Sequence, residues 1–109
     1  MTTRTGDSLR RAALVLAGAL AAQGSAAAAD AALGEYLAAE CASCHQSSGR
    51  QQGGIPAIIG IPPDQFVALM QAYRQGQREN RVMQTIAAGL SAEEIAALAA
   101  YYGGLRQAE

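Results

Sequence analysis

Apolar and polar positions divide the chain into six stretches. Arg4, Arg10 and Arg11 precede an apolar run, Ala12–Ala22, and small residues continue to Ala27-Ala28-Ala29. From about Ala31 to Ala42 the residues are good helix formers, with Leu33, Tyr36, Leu37 and Glu40 near helical spacing and Glu35 on another face. Gln46 to Pro63 is rich in Ser, Gly, Gln and Pro and carries an apolar patch, Ile55, Ile58, Ile59 and Ile61, which reads as a loop. Next to Pro63, Asp64 is expected to cap a helix running to about Gln75, with Phe66, Leu69, Met70 and Tyr73 on one face. Gly76 and the polar run Gln77 to Arg81 break it. A short apolar stretch follows (Val82, Met83, Ile86, Leu90). Then Ser91 and Glu94 take capping-box form and open a helix through Ile95, Leu98, Ala99 and Tyr102, stopped by Gly103-Gly104. No segment alternates with period two for long enough to make a strand. The pattern predicts an all-α protein of three to four short helices whose long loops wrap something functional.

The first stretch is not domain material. A basic end, a short apolar centre and a small-x-small site make a secretory signal peptide. The apolar centre has 11 residues, whereas crossing a bilayer takes roughly 20. The Arg10-Arg11 pair resembles a twin-arginine signal, but the residues after it match poorly, so the general secretory route is preferred. Cleavage after Ala29 makes 1–29 the signal and 30–109 a single domain, exported to the periplasm with no permanent membrane anchor. That domain has five arginines, no lysine and eight acidic residues, a formal charge of −3. Without a basic stripe, nucleic acid is not an expected partner. The domain is also poor in large side chains, with one phenylalanine and no tryptophan. Domains this small often draw stability from a disulfide, metal or cofactor.

Both cysteines and the only histidine fall in one five-residue run, Cys41-Ala-Ser-Cys44-His45. A structural zinc site wants four Cys or His ligands, usually as two separated pairs, and here there are three in one turn. A thioredoxin-like dithiol wants strands before it, whereas a helix precedes this one. A plain Cys41–Cys44 disulfide would suit an exported chain but leaves His45 unexplained. Covalent haem accounts for all three residues. Two thiols one helical turn apart can each add to one vinyl group of a porphyrin, and the adjacent His45 can bind its iron. Attachment of haem c takes place outside the cytoplasm, in keeping with the signal sequence.

A second axial ligand would then lie elsewhere. His45 is the only histidine, so methionine is the next choice, and Met1 leaves with the signal. Met70 shares an apolar helix face with Phe66, Leu69 and Tyr73, which suits packing. Met83 follows a polar loop from which it can reach the far haem face, although it also shares a stripe with Ile86 and Leu90. Position favours Met83 and leaves Met70 open.

These motifs together resemble a class I c-type cytochrome over roughly residues 33 to 105. Gly34 and Leu37 before the cysteines match the bacterial G-x-x-L pattern, and Pro56-Ala57-Ile58-Ile59-Gly60 resembles the family's P-x-L-x-G loop. LSAEEIAALAAYY resembles its last helix. The resemblance implies that the last helix crosses the first at Gly34, with Leu98 and Tyr101 or Tyr102 packing there. It implies that the Pro56 carbonyl accepts from the His45 ring N–H, and that Met83 is the axial methionine. The run from Phe66 to Tyr102 is similar to haem domains of di-haem bacterial class I cytochromes and to the cytochrome subunit of flavocytochrome c sulfide dehydrogenase. One haem motif instead of two implies a single-haem chain. The resemblance implies a carrier of electrons and not a catalyst. It would hold one haem c with iron and serve redox protein partners, a sulfide-oxidising flavoprotein among them. The other functions to weigh are a free diffusible carrier, a haem-based ligand sensor, and a haem-free protein closed by a disulfide.

Overall fold

A computed structural model describes residues 30–106. The signal-peptide assignment, 1–29, lies outside the described residues. Four helices follow one another: α1 (30–41), α2 (Pro63–Arg74), α3 (Arg81–Ala88) and α4 (Ala92–Gly103). Among the described residues there is no strand, only an isolated bridge between Gln52 and Ile55. The fold is all-α.

Local chemistry sets the helix ends. Ser91 Oγ accepts from the Glu94 N–H at 3.1 Å, and Glu94 Oε1 accepts from the Ser91 N–H at 2.9 Å, so the expected capping box closes. Asn80 caps α3, its Oδ1 accepting from the Met83 N–H at 2.9 Å. The start of α2 differs from expectation. Asp64 is no cap: Pro62 is the N-cap residue and Pro63 begins the helix, with no side-chain cap. Proline has the φ that a first helical turn requires and no N–H to leave unsatisfied. Asp64 sits in that first turn, where its charge complements the helix dipole. At the other end of α2, Gln77 N–H donates to Ala72 O at 2.8 Å and Gly76 N–H to Tyr73 O at 3.1 Å. This is a Schellman closure, and it needs the positive φ of Gly76, 72°.

The core gathers Ala38 from α1, Ile59 from the loop, Phe66 and Met70 from α2, Ala87 from α3, and Ile95, Leu98, Ala99 and Tyr102 from α4. Helix α2 packs on both α3 and α4. The Phe66 and Tyr102 rings stack with centroids 5.9 Å apart, and Tyr101 meets Tyr102 edge-on. Helix α1 joins through a different set of residues from those its apolar pattern suggested. Tyr36 is 79% exposed and Leu33 is exposed too, while Gly34 and Ala38 are buried and Leu37 and Cys41 half-buried. These four lie at i, i+3, i+4 and i+7, so the buried stripe is made largely of small residues. Small residues let the backbones of α1 and α4 approach. A Cβ on Gly34 would fall onto the Ala97 carbonyl and within 2.8 Å of Tyr101 Cβ. Two residues beyond Tyr101, Gly103 plays the same part against the Pro63 ring, 3.0 Å from where a Cβ would stand.

Gly34→Ala therefore tests the crossing by sign. At an exposed helical site this change stabilises by about 0.5–1 kcal/mol. Here it is expected to cost on the order of 1–3 kcal/mol through overpacking, read as a lower denaturation midpoint. An unchanged or raised midpoint would show that α1 and α4 do not need the contact.

Candidate functional site

Helix α1 ends at Cys41, and the chain turns back on that residue. The Cys41 carbonyl accepts from the Cys44 N–H at 3.2 Å and the His45 N–H at 2.8 Å. Cys41, Cys44 and His45 thereby share one compact turn at the end of α1. Both thiols are free; Cys41 is half-buried and Cys44 exposed. Cys41 packs against the core cluster at its margin.

A small hairpin positions the partner of His45. Gln52 and Ile55 exchange backbone hydrogen bonds of 3.2 and 2.9 Å. Between them Gly53 and Gly54 have φ of 60° and 82°. Two successive positive φ angles make a type I′ turn, which glycine pairs supply without strain. The Gln46 side-chain amide donates to Gln52 Oε1 and ties the hairpin to the cysteine turn. Pro56 follows directly, and its carbonyl lies 2.8 Å from His45 Nδ1. A carbonyl only accepts, so Nδ1 carries the hydrogen and Nε2 keeps its lone pair for a metal.

The two methionines occupy different surroundings. Met70 is 7% exposed and belongs to the core cluster with Phe66 and Ile95. Met83 is half-buried near the start of α3 and packs against the cluster from outside. The structure thus gathers Cys41, Cys44, His45 and Pro56 into one unit. Met83 and Cys41 both pack on the margin of the same core cluster.

Electrostatics add one residue that the sequence pattern presented only as packing. Burial pushes the Cys41 thiol above its ordinary pKa, and the Tyr102 hydroxyl beside it pulls partly the other way. Tyr102 is itself pushed up, first by burial and then by Cys41. Both groups are therefore neutral at physiological pH. The signal for Tyr102 was its place on the α4 face that crosses α1. What the pattern lacked was the depth at which its hydroxyl ends.

The donor set fits a porphyrin better than a bare ion. Among the described residues no three His, Cys, Asp or Glu side chains converge as an ion cage. What the turn offers is two free thiols and one imidazole nitrogen with its lone pair free. Exposed apolar side chains accompany both candidate ligand segments: Ile55 lies just before Pro56, and Val82 and Ile86 share α3 with Met83. No helix among the described residues is long and apolar enough to cross a membrane.

Comparison with known proteins agrees. The cytochrome c family pattern matches residues 31–105. The chain is 36% identical over 72 residues to the cytochrome subunit of sulfide dehydrogenase of Chlorobaculum tepidum, covering 66% of each chain. It is 36% identical over 71 residues to a thiosulfate dehydrogenase electron acceptor of Thiomonas intermedia, covering 63% of this chain and 33% of that one. Over 77 residues it is 39% identical to cytochrome c-554(548) of Halomonas halodenitrificans, covering 67% of this chain and 93% of that one. The match thus spans just under two thirds of the first of these relatives and one third of the second. Proteins of the family carry covalent haem c with its iron, and Cys41 and Cys44 fit the Cys-x-x-Cys-His attachment motif. With fold, motif and sequence match in agreement, the chain belongs to the cytochrome c family and is a class I cytochrome c.

Proposed function

We propose that this chain is a periplasmic electron-transfer protein carrying a single haem c with His45 and Met83 as axial ligands. The observation that carries the reading is the His45–Pro56 hydrogen bond. It fixes the tautomer and aims Nε2 away from the loop, as a second-shell acceptor does for a metal-bound imidazole. Haem supplies one-electron Fe(III)/Fe(II) chemistry. Everything else falls to the chain: Cys41 and Cys44 would hold the ring through their sulfurs, and His45 and Met83 would bind the iron. A methionine ligand favours a higher potential than a second histidine. No residue of the site is cast as a nucleophile or base toward a substrate. Export follows from the 1–29 signal, and the mature domain is 30–109.

The names of the sulfide and thiosulfate relatives support a place as electron acceptor for a sulfur-oxidising dehydrogenase. In the sulfide case the electron donor would be a flavoprotein subunit. A second reading, a free diffusible carrier, is favoured by the match that takes in 93% of cytochrome c-554(548). The two differ in what travels with the chain. Purified from its native source, the subunit is expected to bring a flavin-containing protein through size exclusion; a lone haem protein at every step would favour the free carrier.

Two measurements test the site. The intact mass of the mature chain is expected to exceed that of residues 30–109 by one haem. A mass short by two hydrogens would instead identify a Cys41–Cys44 disulfide and end the haem reading. In the oxidised protein, the weak long-wavelength absorption band of methionine–Fe(III) coordination is expected to vanish in Met83→Ala. Met70→Ala is expected to keep the band and to lose about 2–5 kcal/mol of stability as a buried truncation. Loss of the band in Met70→Ala alone would transfer the ligand assignment. Absence of the band in the unmutated protein would point to an open sixth position and a ligand sensor.

A further inference from the structure

Among the described residues, the Tyr102 hydroxyl is the side-chain group whose hydrogen bond joins α4 to the last turn of α1. Tyr102 is only 4% exposed, and its ring is clamped between Phe66 and Tyr101. Its hydroxyl donates to the Ala38 carbonyl at 3.4 Å. That is long for an O–H···O bond, which ordinarily closes to about 2.7–2.8 Å. The same carbonyl already accepts the Ala42 N–H at 3.0 Å as part of the helix end. A buried hydroxyl held by a long bond to a shared acceptor can redirect its single hydrogen, because the Ala38 carbonyl keeps the Ala42 N–H. Ala38 lies one turn before Cys41, and both Cys41 and Tyr102 belong to the same packed cluster. The Tyr102 hydroxyl also lies near enough to the Cys41 sulfur to bias its ionisation.

We infer that Tyr102 is a positioning residue for haem attachment at Cys41, and that its hydroxyl donates to the Cys41 sulfur once the thioether has formed. Attachment adds the S–H across a vinyl double bond. Sulfur bonds one carbon, the proton goes to the other, and no electron enters or leaves. The thiol is both donor and acceptor before that step, whereas the thioether can only accept. A hydroxyl anchored by its ring at this depth suits both states: it restrains the thiol's rotamer first and satisfies the thioether afterwards. Cys44, by contrast, is exposed. The two attachment points are therefore chemically unequal, although the motif presents them as a matched pair. A hydrogen bond to the Cys41 thioether withdraws electron density from the ring edge and favours Fe(II). Tyr102 thus also raises the potential of the bound haem.

The inference rests on the haem reading above, and its test separates the two. Tyr102→Phe keeps the ring, its stack on Phe66 and the core volume. Tyr101→Phe removes the neighbouring hydroxyl as a control. Both are made in the full chain, exported and matured with haem beside the unmutated protein. In Tyr102→Phe, the fraction of chains whose Cys41 still reacts with a thiol-alkylating reagent, read by peptide mass, is expected to rise severalfold. The doubly attached fraction is expected to show a lower midpoint potential with the methionine–iron absorption band retained. Tyr101→Phe is expected to match the unmutated protein in both. Full attachment at Cys41 together with an unchanged potential in Tyr102→Phe would overturn the inference and leave the haem reading standing. Equal loss of both attachments in the two variants would also overturn it, because that marks a folding defect without selectivity. An unmutated chain that never gains the mass of a haem would remove the haem reading, and this inference with it.

Discussion

The close approach of α1 to α4 at Gly34 organises the rest of the molecule. A helix pair separated by ordinary side chains runs with axes about 8–10 Å apart. Here one missing Cβ lets Gly34 sit against the Ala97 carbonyl and Tyr101. One turn further along α1, Ala38 meets the core, and one more turn brings Cys41 to its margin. The depth of the cysteine turn is thus set by the crossing upstream of it. A bulkier residue at position 34 would lift the whole turn away from Tyr102.

The loop from 42 to 62 is held at its two ends and in the middle. At its start the Cys41 carbonyl collects two N–H groups. In the middle, the type I′ hairpin fixes where Pro56 lies and so which way the His45 ring faces. Near its end, the Gly60 N–H donates to the Tyr102 carbonyl at 2.9 Å, at a residue whose φ of 80° favours glycine. The Tyr102 carbonyl, in the last turn of α4, also accepts the Leu105 N–H at 3.2 Å, so the bond ties the loop to the end of that helix. Tyr102 therefore serves the site from both its backbone and its side chain. An irregular segment over 20 residues long stays ordered in so small a domain because each of its fixed points falls on α1, α4 or its own hairpin.

Large side chains are scarce, and this shapes the energetics. Only Ile95 and Leu98 are bulky and almost wholly buried. The remainder of the core is alanine, Ile59, a pair of stacked aromatics and Met70. Burying small residues yields little at about 25 cal/mol per Å² of apolar surface. A covalently held porphyrin supplies apolar area that the chain does not encode, and it has no dissociation equilibrium to oppose it. The sparse protein core and the covalent cofactor are consistent with each other on these grounds.

Much of this was legible in the sequence, because it depends on neighbours along the chain. The all-α class, the α4 capping box and the Cys-x-x-Cys-His turn are local, and local spacing is sufficient to specify them. The resemblance extended that to Gly34 at the helix crossing and to the Pro56 carbonyl on His45. Other features required the folded chain. Apolar periodicity put Leu33 and Tyr36 on the buried side of α1, yet the crossing selected Gly34 and Ala38, because backbone approach rewards the absence of a side chain and periodicity counts only its presence. Asp64 looked like a cap, but proline geometry one residue earlier had already begun the helix. Tyr102 read as a packing residue. Its hydroxyl beside Cys41 is separated from that sulfur by sixty-one positions of chain. Sequence by itself determined which chemical groups are present and which short turns they make; only the tertiary structure decided which face of α1 is buried and that the Tyr102 hydroxyl reaches the last turn of α1, since those depend on how closely two distant backbones can approach.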